Sequence, residues 1–147
     1  MDKKIIGRKE EISLPDLGLE MLPAKIDTGA YTSSIHAEQI QVLEQNGKMV
    51  LSFIPLMPSH EKYIGKLVTF DKFKKKMVKN SFGQAEERYL VKTTFRLAGE
   101  EYLAEFTLSD LSKMKNAVLL GRKILKKRFL VDVSKANLAN DYQNQHD

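Results

Sequence analysis

The chain of 147 residues contains no cysteine and only three histidines. Without cysteine it can form neither disulfides nor thiolate metal ligands, which favours a reducing compartment. Metallopeptidases commonly carry two histidines one helical turn apart with a glutamate base, as in H-E-x-x-H. Here His60-Glu61 has no second histidine in that spacing, and His36 and His146 lie far from it in the sequence. We therefore expect no catalytic zinc site, no other metal and no cofactor.

Long apolar runs are also absent. Near the beginning of the chain, Lys3-Lys4 leads into only Ile5-Ile6 before Gly7, which is too short for a signal-peptide core or a membrane span. The sequence also lacks a G-x-x-x-x-G-K-[ST] loop, so nothing in it supports ATP dependence. From these absences we expect a soluble, cytoplasmic protein that does not act on a membrane.

The composition is that of one globular domain. Hydrophobic residues make up 42% of the chain and charged residues 29%, a balance that allows a chain of this size to bury its own core. The formal net charge of +5 favours acidic partners without identifying one. Residues 135–147 are rich in Asn, Gln and Asp. We expect a domain over residues 1–134 and a polar, flexible tail over residues 135–147.

The hydrophobic periodicity is mostly that of β-strands. Polar and apolar residues alternate on both sides of a Pro-Asp-Leu-Gly turn within residues 11–22, and Asn46-Gly47 is a strong hairpin signal. A further hairpin is predicted over residues 88–108, where glycine lies in the loop. Helical spacing is found at residues 122–129 and, more weakly, at residues 109–115. The pattern predicts a mostly β domain with one short C-terminal helix.

One carboxylate stands out by its position. Asp27-Thr28-Gly29 directly follows the apolar residues 21–26 and precedes Ala30, which predicts a tight turn at the end of a strand. Far along the chain, residues 117–120 form a second apolar run that leads straight into Gly121-Arg122. An ordinary turn, in which the aspartate bonds its own backbone, is the alternative interpretation of Asp27-Thr28-Gly29.

The order of these elements resembles the retropepsin-like aspartic peptidases. The resemblance rests on four segments, which are Asp27-Thr28-Gly29-Ala30, a hairpin tip at Asn80-Ser81-Phe82-Gly83, a return hairpin over residues 95–108, and Leu119-Leu120-Gly121-Arg122. More narrowly, the chain is similar over residues 6–134 to bacterial proteins often labelled ATP-dependent zinc proteases, which are now regarded as retropepsin-like endopeptidases. This resemblance implies the acid-protease fold, a closed β-barrel, and hydrolysis of peptide bonds.

The chemistry explains why a second chain would be needed. Hydrolysis of an amide without a metal requires one carboxylate to take a proton from water and a second, protonated, to polarise the carbonyl. Two carboxylates so close share a proton and titrate as a pair. The sequence has a single Asp-Thr-Gly, so the partner must come from another copy. We therefore expect a homodimer with the two Asp27 side chains at its two-fold axis.

The resemblance also implies roles for neighbouring residues. The Thr28 hydroxyl would bond across the dimer, the Gly29 amide would reach a carboxylate oxygen of Asp27, and Gly121 would pack beside the turn. Residues expected to contact the peptide substrate are Ala30, Lys79, Phe82, Gly83 and Gly121. In related enzymes the residue corresponding to Arg122 pairs with an acid just after the catalytic turn. Here Tyr31 and Thr32 follow Ala30, so that ion pair cannot form in the same way.

The hairpin over residues 74–89 corresponds to the flap that closes over substrate in retropepsin-like enzymes. Lys74-Lys75-Lys76 and Lys79 would draw in an acidic peptide, because positive charge around a cleft concentrates anionic ligands. Relatives are frequently linked to ATP-grasp ligases that append glutamates, which suits a glutamate-rich substrate. A solvated edge strand that its lysines protect from aggregation explains the same residues equally well.

Two departures from the family pattern keep an alternative open. Several relatives carry an arginine at the position of Leu111 and Tyr-Pro at the position of Asn116-Ala117. The chain could therefore be a weakly active or inactive peptide-binding or dimerisation module of the same fold. A basic nucleic-acid-binding β domain is a third hypothesis, because cations and phenylalanines alternate over residues 70–82. No RNA-binding signature accompanies them, and we expect no nucleic-acid partner.

Overall fold

The computed structural model describes residues 3–79 and 82–144, so residues 1–2, 80–81 and 145–147 lie outside it. Within those ranges the chain forms eleven β-strands and two short α-helices. The strands are β1 Lys4–Ile6, β2 Lys9–Leu14, β3 Leu19–Ile26, β4 Ser33–Gln45, β5 Lys48–Pro55, β6 Val68–Phe70, β7 Lys74–Lys79, β8 Ala85–Leu97, β9 Glu100–Ser109, β10 Val118–Leu120 and β11 Phe129–Val131. The helices are α1 Arg122–Leu125 and α2 Ala139–Asn144.

Nine of the strands form one sheet in the order β10-β3-β2-β8-β9-β4-β5-β6, with β7 paired to β8. Strand β10 also pairs with β4. The pairings therefore run through β10, β3, β2, β8, β9, β4 and back to β10, which is the closed circuit that the predicted barrel requires. Strands β1 and β11 form a separate parallel pair.

Strand β10 lies between the two strands that flank Asp27. It runs parallel to β3, with Leu120 opposite Ile26, and antiparallel to β4, with Leu119 opposite Ser34. All three residues of β10 are buried. A continuous apolar run of this kind is typical of a strand covered on both faces, whereas a strand with one wet face alternates. The core around it includes the buried rings of Phe53, Phe95 and Phe106.

The C-terminal segment is held to the domain by a buried carboxylate. Glu10 is fully buried in β2, and its oxygens accept hydrogen bonds from the backbone N–H groups of Gly7 at 2.7 Å, Leu138 at 2.9 Å and Ala139 at 2.8 Å. These three bonds satisfy a charge that would otherwise be costly to bury. The domain boundary at residue 134 stays a prediction, but α2 begins at a residue that Glu10 binds.

The prediction of a mostly β fold is confirmed, with four differences in its elements. The helix predicted over residues 122–129 ends at Leu125, because Lys126 leaves helical geometry and Lys127 has a φ of +70°. No helix forms over residues 109–115. There the Asp110 carboxylate accepts bonds from the backbone N–H and the hydroxyl of Ser112, which makes a turn.

The other two differences are an additional helix and a merged strand. Helix α2 lies in the segment predicted to be a tail. The sequence pattern predicts separate short strands at residues 33–37 and 39–43, but both belong to the single strand β4, which passes an irregularity where Gln39 has a φ of +51°. Across the described ranges, no helix has both the length and the apolar character needed to cross a bilayer.

Candidate active site

Asp27 lies directly after β3, in a turn formed by residues 27–30 that we call the DTG turn. Its backbone N–H donates to the Leu120 carbonyl at 2.8 Å, which extends the pairing between β3 and β10 by one step. The Asp27 carbonyl then accepts from the Ala30 N–H at 3.2 Å and closes the turn. The position of the carboxylate is therefore set by a buried strand.

The Asp27 side chain is fixed within its own turn. The Gly29 N–H donates to Asp27 Oδ1 at 3.1 Å, the bond that the resemblance implied. A Cβ at Gly29 would lie 3.3 Å from that oxygen, closer than most such contacts. Glycine therefore allows the amide to approach the carboxylate. Asp27 is partly exposed.

Gly121 packs behind the DTG turn. A Cβ at this position would lie 2.6 Å from the Tyr31 carbonyl oxygen and 2.9 Å from the Thr32 carbonyl carbon. Its N–H donates to Ser33 Oγ at 3.0 Å. Gly121 is buried, so the structure shows it supporting the turn, and a direct contact with peptide stays a prediction.

Arg122 contacts the DTG turn without a carboxylate. Its Nη1 donates to the Thr28 carbonyl at 2.9 Å, and its guanidinium lies 5.8 Å from the centre of the Tyr31 ring. Its backbone N–H also donates to the Ala30 carbonyl at 2.8 Å. A hydrogen bond and a cation–π contact thus stand in place of the ion pair that the resemblance implied.

The hairpin of β7 and β8 carries the predicted flap residues. Lys79 ends β7, and Phe82 and Gly83 lie at the tip, where Gly83 has a φ of +77° that favours glycine. All three are exposed, and Phe82 is 87% accessible. Asn80 and Ser81, which belong to the same predicted tip, lie outside the described residues.

A set of buried hydroxyl groups, which the sequence pattern does not predict, links the start of β4 to the end of β9. Ser34 Oγ lies 2.8 Å from Thr107 Oγ1, which in turn lies 3.4 Å from Ser109 Oγ. Arg88 of β8 completes the set, because its Nη1 donates to Ser109 Oγ at 2.9 Å. The signal that could have revealed it is the run Thr32-Ser33-Ser34, which leads into β4, a strand whose first five residues are buried.

The adjacent Glu87 and Arg88 take different partners. Arg88 Nη2 donates to Glu86 at 3.3 Å, whereas Glu87 pairs with Lys75 across the hairpin at 3.4 Å. The Lys75–Glu87 pair is more than half exposed at both ends, so we expect it to add little stability.

His36 acts as a buried structural residue. It is 2% exposed, and its Nδ1 accepts the Leu111 N–H at 2.9 Å while its Nε2 lies 3.1 Å from Glu38 Oε2. Because Nδ1 accepts this bond, Nε2 is the nitrogen placed to donate to Glu38. Among the described residues no group of three or more His, Cys, Asp or Glu side chains could hold a metal. His146 lies outside that part of the chain.

A match to a protein-family model identifies the family of this chain. A family model described as retropepsin-like aspartic endopeptidase RimB matches residues 5–141. The chain belongs to this RimB-like family. The strand that ends in the DTG turn and the buried β10 that supports it are thus parts of a RimB-like, retropepsin-like domain.

Curated relatives of this RimB-like chain are longer proteins. It is 34% identical over 155 residues to a protein of Desulfotalea psychrophila named probable alpha-L-glutamate ligase, and the match covers 97% of the chain and 33% of that relative. A protein of the same name from Shewanella pealeana is 32% identical, with 92% of the chain and 30% of the relative covered. The chain therefore spans about a third of the length of the curated relatives it matches.

A solved structure shares the fold of the RimB-like chain. The crystal structure of Lpg0085, a protein of unknown function from Legionella pneumophila, superposes with a TM-score of 0.72 at 24% identity. The superposition covers 94% of this chain and 99% of the other. At this identity the likeness shows the fold alone.

Proposed function

We propose that this RimB-like protein is an aspartic endopeptidase whose active site forms between two copies of the chain. The observation that carries the proposal is the setting of Asp27. Its carboxylate is fixed by the Gly29 amide on a turn that β10 and Arg122 hold from behind. Each chain offers one such carboxylate, and a two-fold axis beside the DTG turn would bring two of them together.

In the proposed reaction one Asp27 is ionised and its counterpart is protonated. The ionised carboxylate takes a proton from a water molecule, whose oxygen attacks the carbonyl carbon of the peptide. The protonated carboxyl donates a hydrogen bond to the carbonyl oxygen and stabilises its developing charge. The carbon–nitrogen bond then breaks as a proton passes to the leaving amine. Thr28 would brace the two turns by bonding across the dimer.

The substrate proposed is an acidic, glutamate-rich peptide. Ala30 would contact it beside the DTG turn, and the hairpin end with Lys79, Phe82 and Gly83 would cover it. The net charge of +5 and the lysines of β7 support an anionic ligand. The names of the relatives support a link to glutamate, because they are probable glutamate ligases. We expect the protein to act in the cytoplasm.

Cleavage of a glutamate-rich peptide and of a neutral peptide of equal length, each over a range of salt concentrations, tests this function. We expect the wild-type protein to cleave the acidic peptide, at a rate that falls as added salt screens the lysines. The Asp27→Asn variant should keep its fold and its dimer but cleave neither peptide. Equal cleavage of both peptides, independent of salt, would contradict the proposed substrate. Undiminished turnover by Asp27→Asn would contradict the mechanism.

The alternative is a peptide-binding module of the same fold with weak or no activity. The observation that favours it is Leu111, which is buried and held by His36 where several relatives carry an arginine. The same Asp27→Asn variant separates the two functions. A binding module would retain its peptide affinity in both forms and show no turnover in either. A nucleic-acid-binding domain is the weakest of the three hypotheses.

A further inference from the structure

One rung of the hairpin formed by β7 and β8 directs both of its side chains to the rest of the domain. Strand β7 pairs with β8, and in their antiparallel register Lys76 lies opposite Arg88. Residues directly opposite each other in such a pair point to the same face. Both side chains reach the body of the domain, where Lys76 Nζ donates to Thr32 Oγ1 at 2.7 Å and Arg88 Nη1 donates to Ser109 Oγ at 2.9 Å.

The Lys76 contact joins the hairpin to the segment that follows the DTG turn. Lys76 and Thr32 are 44 residues apart in the sequence. Lys76 Nζ also lies 5.7 Å from the centre of the Tyr31 ring, the same ring that Arg122 approaches. Since Arg122 donates to the Thr28 carbonyl, a continuous series of contacts runs from the hairpin to the DTG turn.

Lys75, the residue before Lys76 in β7, makes different contacts. Lys75 points to the opposite face, where it pairs with Glu87 on the hairpin itself. Its ammonium lies 5.7 Å from the ring centre of Tyr89, which also belongs to the hairpin. The contacts of Lys75 therefore stay within β7 and β8, and those of Lys76 leave them.

We propose that Lys76 is a positioning residue that fixes the hairpin against Tyr31 and Thr32, and so couples the hairpin to the DTG turn. A hydrogen bond from an ammonium group is stronger than one between neutral groups. Strand β7 is hydrogen-bonded to β8 along one edge. Side-chain contacts such as the Lys76–Thr32 bond therefore set the position of the face of β7 that lies toward the rest of the domain. The consequence of Lys76 for turnover rests on the proposed function, whereas the coupling itself does not.

Amide hydrogen exchange measured by NMR tests the coupling without a substrate. Backbone amides of β7 and of the paired part of β8 report the local opening of the hairpin. Lys76→Met removes the ammonium and keeps an apolar stem, and Thr32→Val removes the acceptor from outside the hairpin. Lys75→Met is the matched control, because it removes an ammonium from the same strand without touching Thr32.

We expect Lys76→Met and Thr32→Val each to accelerate hairpin exchange by up to about tenfold, with β9 unchanged. The double variant should add little to either single change, because both remove the same bond. Lys76→Arg, which keeps a charged donor, should restore most of the protection. Unchanged hairpin exchange in Thr32→Val, or equal acceleration in Lys75→Met, would overturn the proposal.

Peptide kinetics separate this inference from the proposed function. In an active enzyme, Thr32→Val should raise KM for the peptide several-fold and leave the pH profile of kcat unchanged, because the paired Asp27 carboxyls are untouched. A shifted pH profile would contradict a positioning role for Lys76. An inactive wild-type protein would overturn the proposed function, and the exchange experiment would still decide on Lys76.

Discussion

Replacing Gly121 by alanine tests how tightly the DTG turn is packed. The added Cβ would lie 2.6 Å from the Tyr31 carbonyl oxygen, 2.8 Å from its carbonyl carbon and 2.9 Å from the Thr32 carbonyl carbon. These are backbone atoms, so no flexible side chain can move aside. The φ of Gly121 is −93°, which alanine adopts freely, so steric overlap alone opposes the substitution.

Overpacking a well-packed site lowers the free energy of unfolding by about 1–3 kcal/mol. Because the atoms nearest the added Cβ belong to the backbone, we expect Gly121→Ala at the upper end of that range. For a chain of this size the loss lowers the unfolding temperature by about 5–10 °C. The substitution should also reduce turnover in the protein that remains folded, because Tyr31 and Thr32 must shift beside Asp27. The assay is thermal and urea unfolding at one fixed protein concentration, since the stability of the proposed dimer would depend on concentration.

Gly47→Ala is the control for Gly121→Ala. Nothing lies within 4 Å of the added Cβ at Gly47, but its φ of +78° is one that alanine tolerates poorly. This change should cost about 1 kcal/mol from backbone strain alone and leave turnover unaffected. A Gly121→Ala protein as stable as Gly47→Ala would refute the packing described here.

Two further predictions concern buried and paired carboxylates. Glu10→Gln should lower the free energy of unfolding by about 2 kcal/mol, because one oxygen acceptor is replaced by an amide donor. It should also speed hydrogen exchange of the Leu138 and Ala139 amides. Unchanged exchange of these amides would contradict the conclusion that Glu10 holds the C-terminal segment to the domain. The hydrogen bond from Lys123 lowers the pKa of Glu105 in the folded protein. The pair therefore stabilises the fold at pH values above the unfolded pKa of a glutamate, near 4.3. This stabilisation is lost as the pH falls through the lowered pKa of the folded state. Urea unfolding should show Glu105→Gln less stable than wild type at pH 7, with a deficit that shrinks as the pH falls below the unfolded pKa. A deficit that does not change with pH would contradict the assignment.

Much of the fold could be predicted from the sequence because its signals are local. Alternating polarity and glycine-bearing turns locate the hairpins, and a fully apolar β10 reveals its burial. Asp27-Thr28-Gly29 after an apolar run locates the turn, and the residues that hold it at Gly121 and Arg122 follow from the resemblance. The predicted helix over residues 122–129 was too long, because its apolar spacing fits equally well a short helix followed by a strand that begins at Phe129.

The rest depends on tertiary contacts that leave no local pattern. In the sequence, Glu10 is one of the polar residues of a strand with alternating polarity, a pattern that predicts a solvated charge. Only the fold brings the amides of Leu138 and Ala139 to it. The bond between Lys76 and Thr32 joins residues 44 apart, and a run of lysines gives no sign that one of them points inward. Such pairings are set by strand register and by packing, which the sequence determines only through the whole fold.

Mixing wild-type chains with Asp27→Asn chains tests most directly whether two subunits share one active site. After the subunits exchange, peptide cleavage is measured at a fixed amount of wild-type protein. If both Asp27 carboxyls are needed, activity per wild-type chain falls to about one quarter at three Asp27→Asn chains for each wild-type chain, because most wild-type chains are then in mixed dimers. Activity that stays proportional to the wild-type protein alone would contradict a shared site.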